Sequence, residues 1–489
     1  MTRNLMKLIL MSGVAAWIAT PAAANDWGGF SLGIGGGYGM AKNDLDLGAP
    51  IDTDANASVG IHGLGGAGGF FTLGAGYDHV LLGPLVVGAF VDYDFSDIDT
   101  NINVNAFGFL DANVGFKIKN QLSVGGRIGY LISPTTMYYS TFGYAHAESS
   151  DLDASLSLGG ATGGGTLASI GSFDGYFLGG GIETMISNGF SVKAEYRYTS
   201  LQAESLTFTE ASGIGDAVTG SIKPQIQTGR VSLNYRFGDG KTEKVDDSIP
   251  PITSSWTGGY IGVGTGYSVA NSDLKIGENS PVPGSAFGVT VPFGGDGGFI
   301  SGTIGYDYQV NSRFVIGAFA DADLTNVDQK NSFGINTDGL GIGFGTSTGF
   351  RNILMVGGRL GYLTTPDTLV FVSGGYANAS MEDTYLTSGA SFEGVPLGSE
   401  SITLIDGRRY DGGFIGGGIE TRLTDALSLK AEYRYIDLGT RSATLLPNEL
   451  TEINQVISTK FDSDIQTGRV SINYRFGNPL GAADAAPLK

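Results

Sequence analysis

The chain has 489 residues, no cysteine and a formal net charge of −20, which excludes thiol chemistry and Cys-ligated metals and makes nucleic acid a poor partner, because phosphate neutralisation needs clustered Lys and Arg. Glycine fills 81 positions while aromatics stay at 11% and no Gly-X-Y period runs through the sequence. Neither collagen nor disorder has that composition, so what remains is an all-β protein of Gly-rich strands.

Residues 1–24 carry Arg3 and Lys7, an apolar run from Leu8 to Ala19 and a Pro21-Ala22-Ala23-Ala24 end. A basic start, a short apolar core and small residues at the cleavage positions make a secretory signal peptide. Its core is shorter than the ~20 residues a membrane-spanning helix needs. The mature chain is expected to begin near Asn25, and losing Arg3 and Lys7, the only charges of the segment, takes the net charge from −20 to −22.

A first unit, 25–238, then alternates with period two, the mark of half-buried strands. In its first strand Phe30, Leu32, Ile34 and Tyr38 share one face, with Gly29, Ser31, Gly33, Gly35 and Gly37 on the other. Phe71 to Tyr77, Leu85 to Tyr93 and Leu122 to Tyr130 repeat the pattern, and a fifth strand falls near Met137 to Glu148 with its facing open. Tyr176 to Ile186, Phe190 to Tyr198 and Val231 to Phe237 complete eight strands.

Residues 239–255, with Lys241, Glu243, Lys244, Asp246, Asp247 and Pro250-Pro251, have no period and read as a linker. A second unit, 256–477, repeats the first. Trp27-Gly-Gly-Phe30 returns as Trp256-Thr-Gly-Gly-Tyr260, Gly88-Ala-Phe-Val-Asp92 as Gly317-Ala-Phe-Ala-Asp321, and Gly126-Arg-Ile-Gly-Tyr-Leu131 as Gly358-Arg-Leu-Gly-Tyr-Leu363. Lys193 to Tyr198 reappears unchanged at Lys430 to Tyr435, and Ile226 to Phe237 matches Ile465 to Phe476 with one Leu-to-Ile change. Insertions lie between these blocks, as expected when strands are fixed and loops are free. Residues 478–489 form a C-terminal tail.

Connections alternate between long ones of roughly 20–27 residues and short turns at Asp78–Pro84, Ser133–Thr136 and Ser187–Gly189. Short turns at one end and long loops at the other suit an outer-membrane barrel, whose strands cross the bilayer in ~9–11 residues. Trp27, Tyr77, Tyr93, Tyr130, Tyr198 and Phe237 stand near strand ends and fit its aromatic girdles. Lys42, in the connection after the first strand, is expected to be solvated.

The chain resembles the Omp25/Omp31-type outer-membrane proteins of alphaproteobacteria, a porin-like β-barrel family. The resemblance rests on the opening Trp256, Gly258, Tyr260, Gly262 and Gly264, on Lys-Ala-Glu-Tyr-Arg-Tyr and on the closing Asn-Tyr-Arg-Phe, an ordered set present once per copy over nearly the whole mature chain. It implies single eight-strand barrels that end at the final Phe, assembled by the barrel-assembly machinery, and contact with lipopolysaccharide or host surfaces.

Period-two counting points Asp92, Asp94, Arg127, Glu183, Lys193, Glu195, Arg197 and Arg230 into the first barrel. The second copy keeps each of them as Asp321, Asp323, Arg359, Glu420, Lys430, Glu432, Arg434 and Arg469. Acids and bases interleave because buried charges must be paired, which reads as a lumen network filling and cross-linking the barrel, or alternatively as a selectivity ring in an open pore. Asp44, Asp46, Asp52, Asp54, Asp97, Asp99, Asp151 and Asp153 read as solvated acidic loop surface. None has the spacing of a calcium loop, with cation bridging to lipopolysaccharide phosphates as the alternative. Of three histidines, His146 near Glu148 and Ser149 is the sole candidate base for a nucleophile, and it aligns with Asn378, so no duplicated site exists. No catalytic residue, cofactor or metal is expected.

These readings converge on a transmembrane antiparallel β-barrel protein of a Gram-negative outer membrane, exported by a cleaved signal and built as two tandem eight-stranded barrels. Its expected role is to anchor in the outer membrane, among lipid and lipopolysaccharide, and display acidic loops. The alternative is one sixteen-stranded porin for passive diffusion of small solutes.

Overall fold

The computed structural model describes residues 27–476 apart from 53–54, 107–109, 159–160, 188, 209–218, 238–254, 279–286, 338–339, 393–394 and 445–456. The expected signal peptide, nearly all of the linker, the tail and Asp54 lie outside the described residues.

The first copy forms β1 (Gly29–Asp52), β2 (Ala55–Leu82), β3 (Leu85–Ala106), β4 (Leu110–Ser133), β5 (Thr136–Ser149), β6 (Leu152–Leu158), β7 (Ala161–Ile170), β8 (Ser172–Ser187), β9 (Phe190–Leu201), β10 (Glu204–Phe208) and β11 (Thr219–Phe237). The second forms β12 (Gly258–Glu278), β13 (Phe287–Gln309), β14 (Phe314–Thr337), β15 (Leu340–Thr365), β16 (Thr368–Met381), β17 (Thr384–Phe392), β18 (Val395–Ile405), β19 (Arg409–Arg422), β20 (Leu427–Thr444) and β21 (Ile457–Arg475).

Neighbours pair antiparallel in the order β1, β2, β3, β4, β5, β8, β9, β11. The ring closes when β11 returns to β1, from Phe30 opposite Phe237 to Gly48 opposite Thr219. The second copy runs β12, β13, β14, β15, β16, β19, β20, β21, and β21 closes on β12. Sixteen ring strands therefore make two rings of eight. In the lower part β11 pairs with β9 and β1, and β21 with β20 and β12, so each copy closes on itself; above, 58–62 of β2 pair with β14 and 103–106 of β3 with β13, and the extensions of the two rings join. Closure leaves no lipid-exposed backbone edge. At the short turns Gly83 (φ 54°) and Gly189 (φ 77°) adopt left-handed backbone, which L side chains resist.

The strands are longer than expected. Those of β1 to β4 run 22–28 residues, against the ~9–11 that cross a bilayer, and only residues 53–54 separate β1 from β2. Segments without obvious apolar alternation still find backbone partners because neighbouring hairpins extend together. Even where the strands break, the ring is continued upward by β4–β6, β6–β7, β7–β10 and β10–β11. Lys42 accordingly lies on β1, not in a loop, and its Nζ is 3.7 Å from Asp296 of the second copy. Of the acidic set, Asp44, Asp46, Asp97, Asp99 and Asp153 are likewise strand residues.

Polarity changes along each ring. Toward the short turns Leu32, Ile34, Leu73, Val124, Ile128 and Leu178 point outward and are exposed, while the inner wall is charged. Further up, apolar side chains turn inward, with Leu45, Ile98, Phe116, Ile118, Ile170 and Phe173 packed as one cluster. An apolar belt around a polar interior is the arrangement lipid demands, and an apolar interior is the one water demands.

Candidate functional site

The facing ambiguity of the fifth strand resolves here. On β5, Met137 and Tyr139 join the inner cluster and Tyr139 donates to Glu195 at 3.0 Å, so Tyr138 and Tyr144 face outward.

Alternation along β3, β4, β8, β9 and β11 brings the expected charged residues into one lumen, in two layers. In the upper layer Arg197 donates to Glu195 at 2.7 Å and to Asp92 at 2.8 Å. Arg230 donates to Asp94 at 2.9 Å, and Asp94 also accepts from Thr72 at 2.6 Å. The Arg197 guanidinium lies 4.5 Å from the Phe177 ring centre and Arg230 lies 5.0 Å from that of Phe70, so aromatic faces take up the sides of each cation that carboxylates leave. Lys193 is half-buried in the same layer. With it, three cations face three carboxylates.

The lower layer contains residues that sequence reasoning missed. Arg127 is bidentate to Asp78 and reaches Glu183 at 2.8 Å. Arg236 reaches the same two acids at 2.6 and 2.9 Å. It also stacks 4.9 Å from the Trp27 ring centre and donates to the Trp27 carbonyl at 3.1 Å. Trp27 is not a girdle aromatic: it is buried, and its indole donates to the Pro134 carbonyl at 3.0 Å. It closes the turn end of the barrel from inside. The signal that could have found these residues was duplication, since Asp78, Arg236 and Trp27 recur as Asp307, Arg475 and Trp256.

The second lumen repeats the chemistry. Arg434 contacts Asp321 at 2.5 Å and Glu432 at 2.7 Å, Arg469 contacts Asp323 at 2.6 Å, and Lys430 lies 3.3 Å from Glu432. Below, Arg359 holds Asp307 at 2.8 Å and Glu420 at 2.6 Å, and Arg475 donates to Asp307 at 2.7 Å over the Trp256 ring. One addition appears: Arg422, where the first copy has Met185, also stacks on Trp256, at 4.6 Å. Between the layers of the first lumen a cavity of about 30 Å³ remains, lined by Asp92, Arg127, Glu183, Lys193 and Glu195. That is room for a few water molecules.

Outside the lumens, His146 sits 2.8 Å from Asp174, which Tyr144 also contacts. Ser149 is turned toward the Gly171 carbonyl at 3.2 Å and Glu148 accepts from Asn120 at 2.7 Å, so the three residues of the candidate nucleophile set are not brought together. Asp97 and Asp99 flank Lys117 at 2.8 and 3.9 Å, and Asp44 accepts from the Gly63 amide at 2.9 Å. Among the described residues no group of three His, Asp or Glu side chains is arranged to hold a metal ion.

Comparison with known proteins matches the outer membrane protein beta-barrel domain twice, over residues 8–237 and 248–476. The 31 kDa outer-membrane immunogenic proteins of Brucella melitensis and Brucella suis are each 29% identical over 237 residues, covering 47% of this chain and 87% of theirs. Among solved structures, the toluene transporter TodX of P. putida aligns over 92% of this chain and 91% of its own at 11% identity and a TM-score of 0.27. Ail, the attachment invasion locus protein of Yersinia pestis, aligns over 42% of this chain and 99% of its own at 16% identity and a TM-score of 0.18. Scores this low add nothing to the fold or the function. One relative-length domain matched on each half, on a chain whose strands close into two rings, makes the conclusion direct: the chain belongs to the outer membrane protein β-barrel family, carries its domain twice, and is a protein of the outer membrane.

Proposed function

We propose that the protein is a non-conducting, non-catalytic outer-membrane anchor whose two filled barrels hold an acidic surface above the bilayer. The observation that carries this reading is the lumen itself: two layers of paired charge, an apolar cluster above them and a Trp plug below, with room for a few waters between the layers. Paired buried ions are rigid. Removing one partner leaves an uncompensated charge, so the network cross-links strands and does not part for solutes.

Export by a signal cleaved near Asn25, independent closure of units 25–238 and 256–477, assembly by the barrel-assembly machinery and contact with lipopolysaccharide belong to the same reading. The immunogenic character named for the Brucella relatives supports surface exposure of the upper strands. The purified protein in a planar bilayer is the test. The expected record stays at baseline, and stable, large conductance steps would replace this reading with the porin.

A further inference from the structure

Outward side chains of a barrel should meet lipid, yet along one line on each ring they are covered. Thr136, Ile182 and Thr184 face outward by strand parity and are fully buried, as are Thr368, Ile419 and Thr421 at the corresponding positions of the second copy. What covers them is the other copy. The Thr136 and Thr368 hydroxyls stand 3.1 Å apart, and both open the strand after the same short turn. At the opposite end of the rings Leu64 is paired with Phe293, again one position in two copies, each followed by Gly-Gly-x-Gly-Gly-Phe. A position touching its own equivalent is what a twofold axis produces.

Away from these two points the contacts are reciprocal. Tyr196 covers Gly468, where an added Cβ would meet the ring at 2.7 Å, and its equivalent Tyr433 covers Gly229, the equivalent of Gly468. Higher up, Gly294 faces Lys42 while Gly65 faces Asn271, the equivalent of Lys42. The strand extensions exchange ladders in the same sense: 58–62 of β2 pair with 332–336 of β14, and 103–106 of β3 pair with 287–290 of β13. The seam climbs from β5 and β8 through β9 and β11 to β1, β2 and β3, as an upright contact line must when barrel strands are tilted. Threonine hydroxyls, and glycines that let the Tyr196 and Tyr433 rings lie against the partner backbone, suit close packing within lipid, where the hydrophobic effect gives no attraction between protein surfaces.

We infer that the duplication has fused two copies of one barrel across a self-complementary, lipid-facing interface, so that the chain sits in the membrane as a pseudo-twofold dimer within a single polypeptide. The partner that each face fits is the other copy. This rests on both rings spanning the bilayer with their short turns on the same side.

The absence of cysteine makes the test free of background. In the full chain, in outer-membrane vesicles under mild oxidation, Thr136→Cys with Thr368→Cys and, separately, Leu64→Cys with Phe293→Cys are expected to yield the interbarrel disulfide peptide by mass spectrometry in most molecules. Leu32→Cys with Ile261→Cys, equivalent and exposed positions on the opposite side of each ring at the turn end, is expected to yield at least tenfold less. Adding Gly229→Trp to the Thr136/Thr368 pair should lower its yield several-fold while the unboiled protein keeps its folded gel mobility. No disulfide at either axial pair in protein with folded mobility, or equal yields at the axial and opposite pairs, would overturn the interface.

Discussion

The lower and upper halves of each ring are one continuous sheet with opposite insides. On β3 the inward face carries Asp92 and Asp94 in the lower half and Ile98 a few residues on, while on the outward face Val91 and Phe95 give way to Asp97. On β4 the inward Arg127 is followed, beyond a register shift between Ile118 and Asn120, by Ile118 and Phe116. The backbone is the same throughout, so the reversal comes from the surroundings: lipid outside puts charge within, and water outside puts hydrocarbon within. What a strand buries is set by the medium it passes through.

The largest way to break that contrast is in the charged lumen of the lower half, at its upper layer. Arg197→Ala leaves Glu195 and Asp92 buried without their partner, and the first barrel is expected to lose about 3–5 kcal/mol, read as a drop in its urea midpoint on refolding into detergent. Arg434→Ala should do the same to the second barrel. Next comes a pair of substitutions that differ only in medium. Val124 and Leu156 are 47% and 48% exposed, one in the apolar belt and one on β6 above it. Val124→Arg is expected to cost about 2–4 kcal/mol in a bilayer, and Leu156→Arg less than about 0.5 kcal/mol. Equal costs would mean that both sites meet the same solvent. Smaller than the first of these is Ile118→Val, expected to cost about 0.5–1.5 kcal/mol through a lost methylene in the upper cluster. Unfolding should register it with no dependence on the detergent chosen.

Much of this was legible in the sequence, for a physical reason. Alternation with period two fixes which face each residue occupies once one face is apolar, so Arg127, Arg197, Glu183 and their equivalents could be placed in a lumen before any pairing was known. Asp78 and Arg236 were not, because a charged residue beside a short turn looks like turn surface until the strand is seen to continue through it. Trp27 misled in a different way: an aromatic at a strand end suits a girdle equally well, and only the Arg236 stack and the Pro134 carbonyl show that it points inward. The strand extensions escaped because their partners lie on neighbouring hairpins and their inward apolar positions are interrupted by register shifts such as that between Phe95 and Ile98. The seam was invisible because its threonines and glycines carry no apolar signal, while its outward Ile182 and Tyr196 alternate as lipid-facing residues do.

Residues 25–238 expressed alone and refolded in detergent test the central claim, that each copy is a complete barrel, most directly. The β1–β11 closure predicts a unit that runs faster unboiled than boiled on a gel and melts with one sharp loss of β-sheet signal, and residues 256–477 should behave alike. Failure of both units to close under conditions where the full-length protein does, together with large conductance steps from that protein, would contradict two barrels and establish one.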